Sequence, residues 1–143
     1  SKAIIENLTG RTYQEAVPAN IADPWTFINN LCTANATTNA MVAWTYPQAS
    51  APTGVTYGVN TIQENHAYTV LGVHPSNTNY ILLRNPYGSL HGDPVLSSPD
   101  VLTTGTVTIG SPARPTIYLS TTTDGIFALK KNIFQSHFMK LAY

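Results

Sequence analysis

Apolar and polar positions alternate with two different periods along this chain, and they divide it into one helix-rich and several strand-rich stretches. Asp23-Pro24-Trp25 predicts a helix start, with Asp as N-cap and Pro at the first helical position. Trp25, Phe27, Ile28 and Leu31 then supply a helical apolar face that predicts a helix to about Ala34, with Cys32 on it. The strongest strand pattern follows. His66 to Val73 and Asn79 to Arg84 are strand-like runs joined by Pro75-Ser76-Asn77-Thr78, a good hairpin connection. Ala3 to Ile5, before the turn signal Leu8-Thr9-Gly10, predicts a short strand. Met41 to Tyr46, Thr106 to Ile109, Thr116 to Ser120 and Gly125 to Leu129 predict further strands, and Asn132 is the expected cap of a helical turn over Ile133 to His137. Residues 47–60 and 89–104 are loop-like in composition. Many strands with few helices predict an α+β fold in one domain over 1–143, a mostly antiparallel sheet or barrel with peripheral helices.

Composition narrows the partners. Hydrophobic residues make up 43% of the 143 residues, enough for a packed core. Charged residues are only 10% and the formal net charge is zero, so nothing steers the chain toward nucleic acid or an anionic membrane. There is no apolar run of the roughly 18 residues a membrane span needs, and no charged-then-apolar leader at the start. A surface built from Thr, Asn and Ser favours a secreted or cell-surface setting, where Asn7-Leu8-Thr9 and Asn35-Ala36-Thr37 would be glycosylation sequons in a eukaryote. Cys32 is the single cysteine, which rules out an internal disulfide and a cysteine-based zinc cluster.

Among the four histidines, His66 is placed for chemistry, at the mouth of an apolar strand after a polar loop. His74 and His91 fall in a hairpin and a loop, where solvation is expected, and His137 sits among Phe134, Phe138 and Met139, where packing or capping is expected. Their spacing fits no metal site. A hairpin turn centred near residue 76 pairs position 66 with a position near 86, which sets Asn85 beside His66. The Asn85 side-chain oxygen can accept a hydrogen bond from an imidazole N–H and so fix the tautomer, the orienting role in a Cys-His-Asn site. Each residue alone has an ordinary structural reading, a half-buried histidine bonded to backbone and a turn asparagine before Pro. On paired strands they point together to catalysis.

These residues carry a resemblance. Asn65-His66-Ala67-Tyr68-Thr69-Val70 resembles the histidine strand of the calpain family of papain-like cysteine proteases, which commonly reads His-Ala-Tyr, a small residue and Val. Leu83-Arg84-Asn85-Pro86-Tyr87-Gly88 resembles its Arg-Asn-Pro-Trp-Gly motif. Asp124-Gly125-Ile126-Phe127 with the Phe-rich segment after Ile133, and Glu6-Asn7-Leu8-Thr9-Gly10 near the start, resemble the family's flanking stretches in the same order. The resemblance implies the β-rich, His/Asn-bearing half of a papain-like fold. It implies a cysteine-type endopeptidase (a thiol protease) in which His66 is the general base, Asn85 orients it, and Tyr87, in place of the usual Trp, shields their hydrogen bond. The nucleophilic cysteine and oxyanion glutamine are then expected on an N-terminal, Cys-bearing protease segment, from the same precursor or a second chain. Cys32 is expected to be a packing thiol, and this chain alone to be inactive. The implied substrate is an extended peptide or protein. Calcium is the one cofactor the resemblance raises, and the acidic residues do not support it: Ile126 replaces the Glu of the animal enzymes, and Asp93, Asp100 and Asp124, the only acids after Asn65, are few for the six to eight oxygens calcium takes. The alternatives are a catalytically inactive protease-fold interaction module and an unrelated extracellular β-domain that binds carbohydrate or protein.

Overall fold

A computed structural model describes residues 2–57, 62–88, 99–110, 116–120 and 124–143. The segment expected to begin with a strand is instead a helix, α1 (Lys2–Thr9). Gly10 explains the outcome: its φ of +66° and the 2.8 Å bond from its N–H to Glu6 O make it the left-handed residue that closes a helix, not a strand turn. Of the apolar residues on this helix only Ile5 is buried, packing with Tyr13 and Ala142.

Strand β1 (Glu15–Ala16) follows, then α2 (Pro24–Asn29). Its start is the predicted one: Asp23 is extended, one carboxylate oxygen accepts from Trp25 N–H at 3.1 Å, and the other accepts from the Thr26 hydroxyl at 2.9 Å. Its end is earlier than Ala34. Ala34 and Asn35 both have positive φ and form the two-residue connection between β2 (Cys32–Thr33) and β3 (Ala36–Thr37), the backbone a type I′ hairpin needs. Cys32 is therefore on a strand, not on the helix.

The main sheet is antiparallel throughout. Its path runs β1, β11 (Phe138–Ala142), β4 (Val42–Thr45), β5 (Ala67–Val73), β6 (Tyr80–Arg84), β10 (Ile126–Lys130) and β7 (Val101–Leu102), with the β2–β3 hairpin joined to β5. Strands β8 (Thr106–Val107) and β9 (Ile117–Tyr118) pair with each other. Helix α3 (Lys131–His137) begins at Lys131, so Asn132 lies in its first turn and does not cap it; Lys131 N–H instead bonds Asn79 O at 2.7 Å. The final strand β11 carries no clear alternation and was not expected from the pattern. Fold class is as predicted: mixed α and β, dominated by an antiparallel sheet.

Strand β6 reads Tyr-Ile-Leu-Leu because both its faces are covered. Ile81 and Leu83 join Tyr68, Val70, Phe127 and Leu129 in the larger core, under α2 and α3. Tyr80 and Leu82 join Ala128 in a second core closed by Val107, Ile109 and Leu119. An ion pair between Lys131 Nζ and Asp23 Oδ1, 3.1 Å long, ties the start of α3 to the start of α2.

The β5–β6 ladder positions the site. Beside the turn it pairs Val73 with Ile81 and Gly72 with Leu82; beyond a one-residue shift it pairs Val70 with Leu83 and Thr69 with Arg84. Leu71 is the extra residue of a β-bulge.

Candidate active site

The His66 backbone is fixed before its side chain is. Thr45, at the end of β4, is completely buried. Its N–H donates to His66 O at 3.0 Å. Its hydroxyl accepts from His66 N–H at 2.9 Å and donates to Gln63 O at 2.6 Å. One side chain thereby satisfies the backbone on both sides of the bend that leads into β5. Asn65, with φ +48°, supplies that bend, and its N–H bonds Tyr46 O at 3.0 Å.

Asn85 follows the last residue of β6 and is 1% exposed. Its N–H donates to Gly125 O at 2.9 Å, and its own carbonyl accepts from Gly88 N–H at 3.0 Å, closing a tight turn through Pro86 and Tyr87. The side-chain Oδ1 lies 3.1 Å from Tyr87 N and 3.0 Å from His66 Nε2.

Those two distances assign the imidazole tautomer. A backbone N–H only donates, so the amide atom facing Tyr87 N is the oxygen. The same oxygen faces His66 Nε2 and can only accept, so Nε2 carries the proton. In the neutral ring, Nδ1 is then the nitrogen with the lone pair, and no hydrogen bond from a described residue engages it.

The ring is held between two tyrosines. Tyr87 stacks on it, with centroids 4.8 Å apart and planes 25° apart, while remaining 64% exposed. Tyr68 meets it edge-on at 4.9 Å. The Tyr68 hydroxyl accepts from Gln63 N–H at 2.8 Å, and burial pushes this phenol up to about 12, so it stays neutral. The sequence therefore brought His66, Asn85 and Tyr87 to one place as expected; Thr45 and the β5 bulge were not foreseen. No pattern marks a strand threonine as a backbone anchor. Gly72 inside an apolar strand was the available signal for the bulge.

The other candidates lie elsewhere. Cys32 pairs with Thr37, and the neighbouring Ala36 pairs with Gly72, at the turn end of β5. Six residue steps along the strand, about 20 Å, separate Gly72 from His66. Burial pushes the Cys32 thiol up to about 11, and its Sγ–H donates to Ile28 O at 3.2 Å. His74 is half-buried and its Nδ1 accepts from Ser76 N–H at 3.2 Å. His137 is buried, its Nδ1 within reach of the Ser136 hydroxyl and Ile133 O. His91, Asp93 and most of the 89–104 loop lie outside the described residues. Among the described residues no group of three His, Cys, Asp or Glu is placed to hold a metal ion, and no helix is long and apolar enough to cross a membrane.

Compared with known proteins, the chain matches no family model and no curated protein by sequence, so its geometry alone carries the functional argument.

Proposed function

We propose that this chain supplies the general base and its orienting amide to a papain-like, calpain-like cysteine endopeptidase whose nucleophile comes from a separate Cys-bearing segment. One observation carries the reading: Asn85 Oδ1 receives both His66 Nε2–H and Tyr87 N–H, which leaves His66 Nδ1 as the basic nitrogen. A base of this kind needs a fixed ring, a known tautomer and a free lone pair. A neutral amide orients the ring without adding a second charge.

In the reaction, His66 Nδ1 takes the proton of the incoming thiol, giving a thiolate and an imidazolium. The imidazolium keeps its Nε2–H bond to Asn85, which is stronger than the neutral bond because the donor is charged. The thiolate attacks the peptide carbonyl. His66 returns the proton to the leaving amine, and then activates water to release the acyl group. Tyr87, stacked on the ring, keeps solvent from one face of the His66–Asn85 bond. Cys32 does not fit the role of nucleophile, since its thiol is half-buried, bonded to Ile28 O and at the wrong end of β5.

The test is reconstitution. The chain is expressed together with the segment encoded upstream of it in the natural gene, and hydrolysis of an unstructured protein and of labelled peptides is followed. Activity that requires both a cysteine of that segment and His66 supports the proposal. Activity that survives His66→Ala excludes it. An inactive complex that binds a protein partner through this face would favour the interaction module instead.

A further inference from the structure

We infer that the bulge at Leu71–Gly72 is what places His66 and Asn85 on the same face of the sheet, which makes Gly72 a positioning residue for the proposed site. The argument is one of register. Side chains directly opposite on antiparallel strands share a face, and a one-residue slip reverses the face. If the pairing beside the turn, Val73 with Ile81, continued without a break, Asn85 would stand opposite Thr69, and its side chain would leave by the face away from His66. With Leu71 accommodated as an extra residue, the pairing of Thr69 with Arg84 puts Tyr68 opposite Asn85 at the next step. His66 and Tyr68 share that face, and the imidazole reaches the amide.

Packing marks the reversal independently. Val70 and Val73, three residues apart, both enter the larger core, whereas strict alternation would send them to opposite faces. Leu71, between them, packs against the other core. Neighbouring groups hold the bulge in place. The Thr37 hydroxyl lies 3.3 Å from Val70 O and 3.4 Å from Leu71 O, and Val73 N–H donates to Asn35 O at 3.0 Å. Residue 72 must be glycine for this approach, because a Cβ there would lie 1.9 Å from Asn35 O. The contribution of the bulge to turnover rests on the reading of His66 and Asn85 given above; its effect on their geometry does not.

The geometry is tested on the 143-residue chain without any nucleophile or substrate. With 15N-labelled histidine, 1H–15N spectra at a pH where the ring is neutral report which imidazole nitrogen is protonated and whether that N–H is held from exchange with water, as the His66 Nε2–H is by its bond to Asn85. His66 is assigned by its loss in His66→Gln. Deleting Leu71 makes Val70 and Gly72 consecutive opposite Leu83 and Leu82, so the ladder becomes regular with both registers kept. The deletion variant should fold and retain the Nε2-protonated His66 pattern. Had β5 been regular, with no residue bulged out of the ladder, the same deletion would instead turn His66 away from Asn85. Loss of that pattern, or failure of the variant to fold, overturns the inference. Gly72→Ala, which obstructs the bulge but keeps Leu71, should lose the pattern; a folded Gly72→Ala chain that keeps it also overturns the inference. If the deletion variant keeps the pattern but the reconstituted protein hydrolyses no peptide, the proposed function fails and the register assignment stands.

Discussion

Two histidines of this chain lie against tyrosine edges, and they are used in opposite ways. His66 meets Tyr68 edge-on and His137 meets Tyr57 edge-on, at 4.9 Å and 5.4 Å. His66 is half-buried, bonded at Nε2 to an amide oxygen that can only accept, and its Nδ1 has no bond from a described residue. His137 is buried at the end of α3, its Nδ1 near Ser136 and Ile133. Burial lowers its proton affinity, against the pull of hydrogen bonds the ring donates to the Ile133 and Thr56 backbone. An aromatic neighbour therefore does not mark a histidine for chemistry. The difference lies in which nitrogen the surroundings occupy, and whether the other is left to a partner.

The largest effect expected from breaking this contrast is at His66. In the reconstituted protein, His66→Ala should lower kcat by about 10²–10⁴-fold, the range for losing a positioned general base. His137→Asn should leave kcat within a few-fold. Asn85→Ala should fall between them. It removes one hydrogen bond to a ring that becomes charged, worth about 1.5–3 kcal/mol, or roughly 10–150-fold in rate. A loss at Asn85 as large as at His66 would mean that the amide does more than orient. Single-turnover assays on a peptide reporter give all three values.

Next in size is the anchor beneath His66. Thr45→Val keeps the strand-forming shape but strips the acceptor from His66 N–H and the donor from Gln63 O in a fully buried place. The expected cost is about 1–3 kcal/mol of stability, read as a lower urea midpoint at unchanged slope. Thr45→Ser, which keeps the hydroxyl, should recover most of it. An equal loss in both variants would assign the effect to packing.

How much of this was legible in the sequence depended on whether local chemistry or tertiary contact decided each element. Asp23-Pro24 declared a helix start because the cap is made within the same few residues. The β5–β6 hairpin was legible from two apolar runs around a turn. His66 and Asn85 were brought together as expected, but the simple register from the turn gives the wrong face, and only the bulge at Leu71–Gly72 corrects it. That correction depends on Asn35 and Thr37, which come from a distant hairpin. The end of α2 was misplaced because Leu31 and Cys32 continue a helical spacing while Ala34 and Asn35 adopt positive φ. Strand β11 escaped because it follows α3 without a turn signal and owes its place to β4 and β1.

A smaller effect is expected at His137 as pH changes. The folded-state pKa of His137 is lowered, so the unfolded chain binds the proton more readily. Its contribution to stability is complete above its unfolded value of about 6.5 and is lost as pH falls through that value toward the folded one. His74, lowered by its partial burial, acts in the same direction. Urea midpoints should therefore drop between about pH 7.5 and pH 5. The drop should be reduced in His137→Asn and reduced further when His74→Asn is added. A drop unaltered by both substitutions would place the responsible proton elsewhere.

The smallest effect is expected at Cys32, and it bears on the whole comparison, because the free nitrogen of His66 is only useful if its thiol comes from elsewhere. With the Cys32 thiol pushed up to about 11, roughly one molecule in a thousand is thiolate at pH 8, against about a quarter for an ordinary cysteine. Labelling by a disulfide reagent should therefore be about two orders of magnitude slower than for a free thiol, and should recover in urea. Cys32→Ala should leave reconstituted turnover unchanged, since the side chain only packs against the core and donates to Ile28 O. Rapid labelling of the folded chain would mean that the thiol is neither covered nor held protonated, and turnover lost with Cys32 would require the sulfur to reach His66 Nδ1 from the opposite end of β5. The strand cannot allow that while Ala36 stays paired with Gly72 and Thr45 holds His66, so a turnover that depends on Cys32 would also count against the register of the sheet.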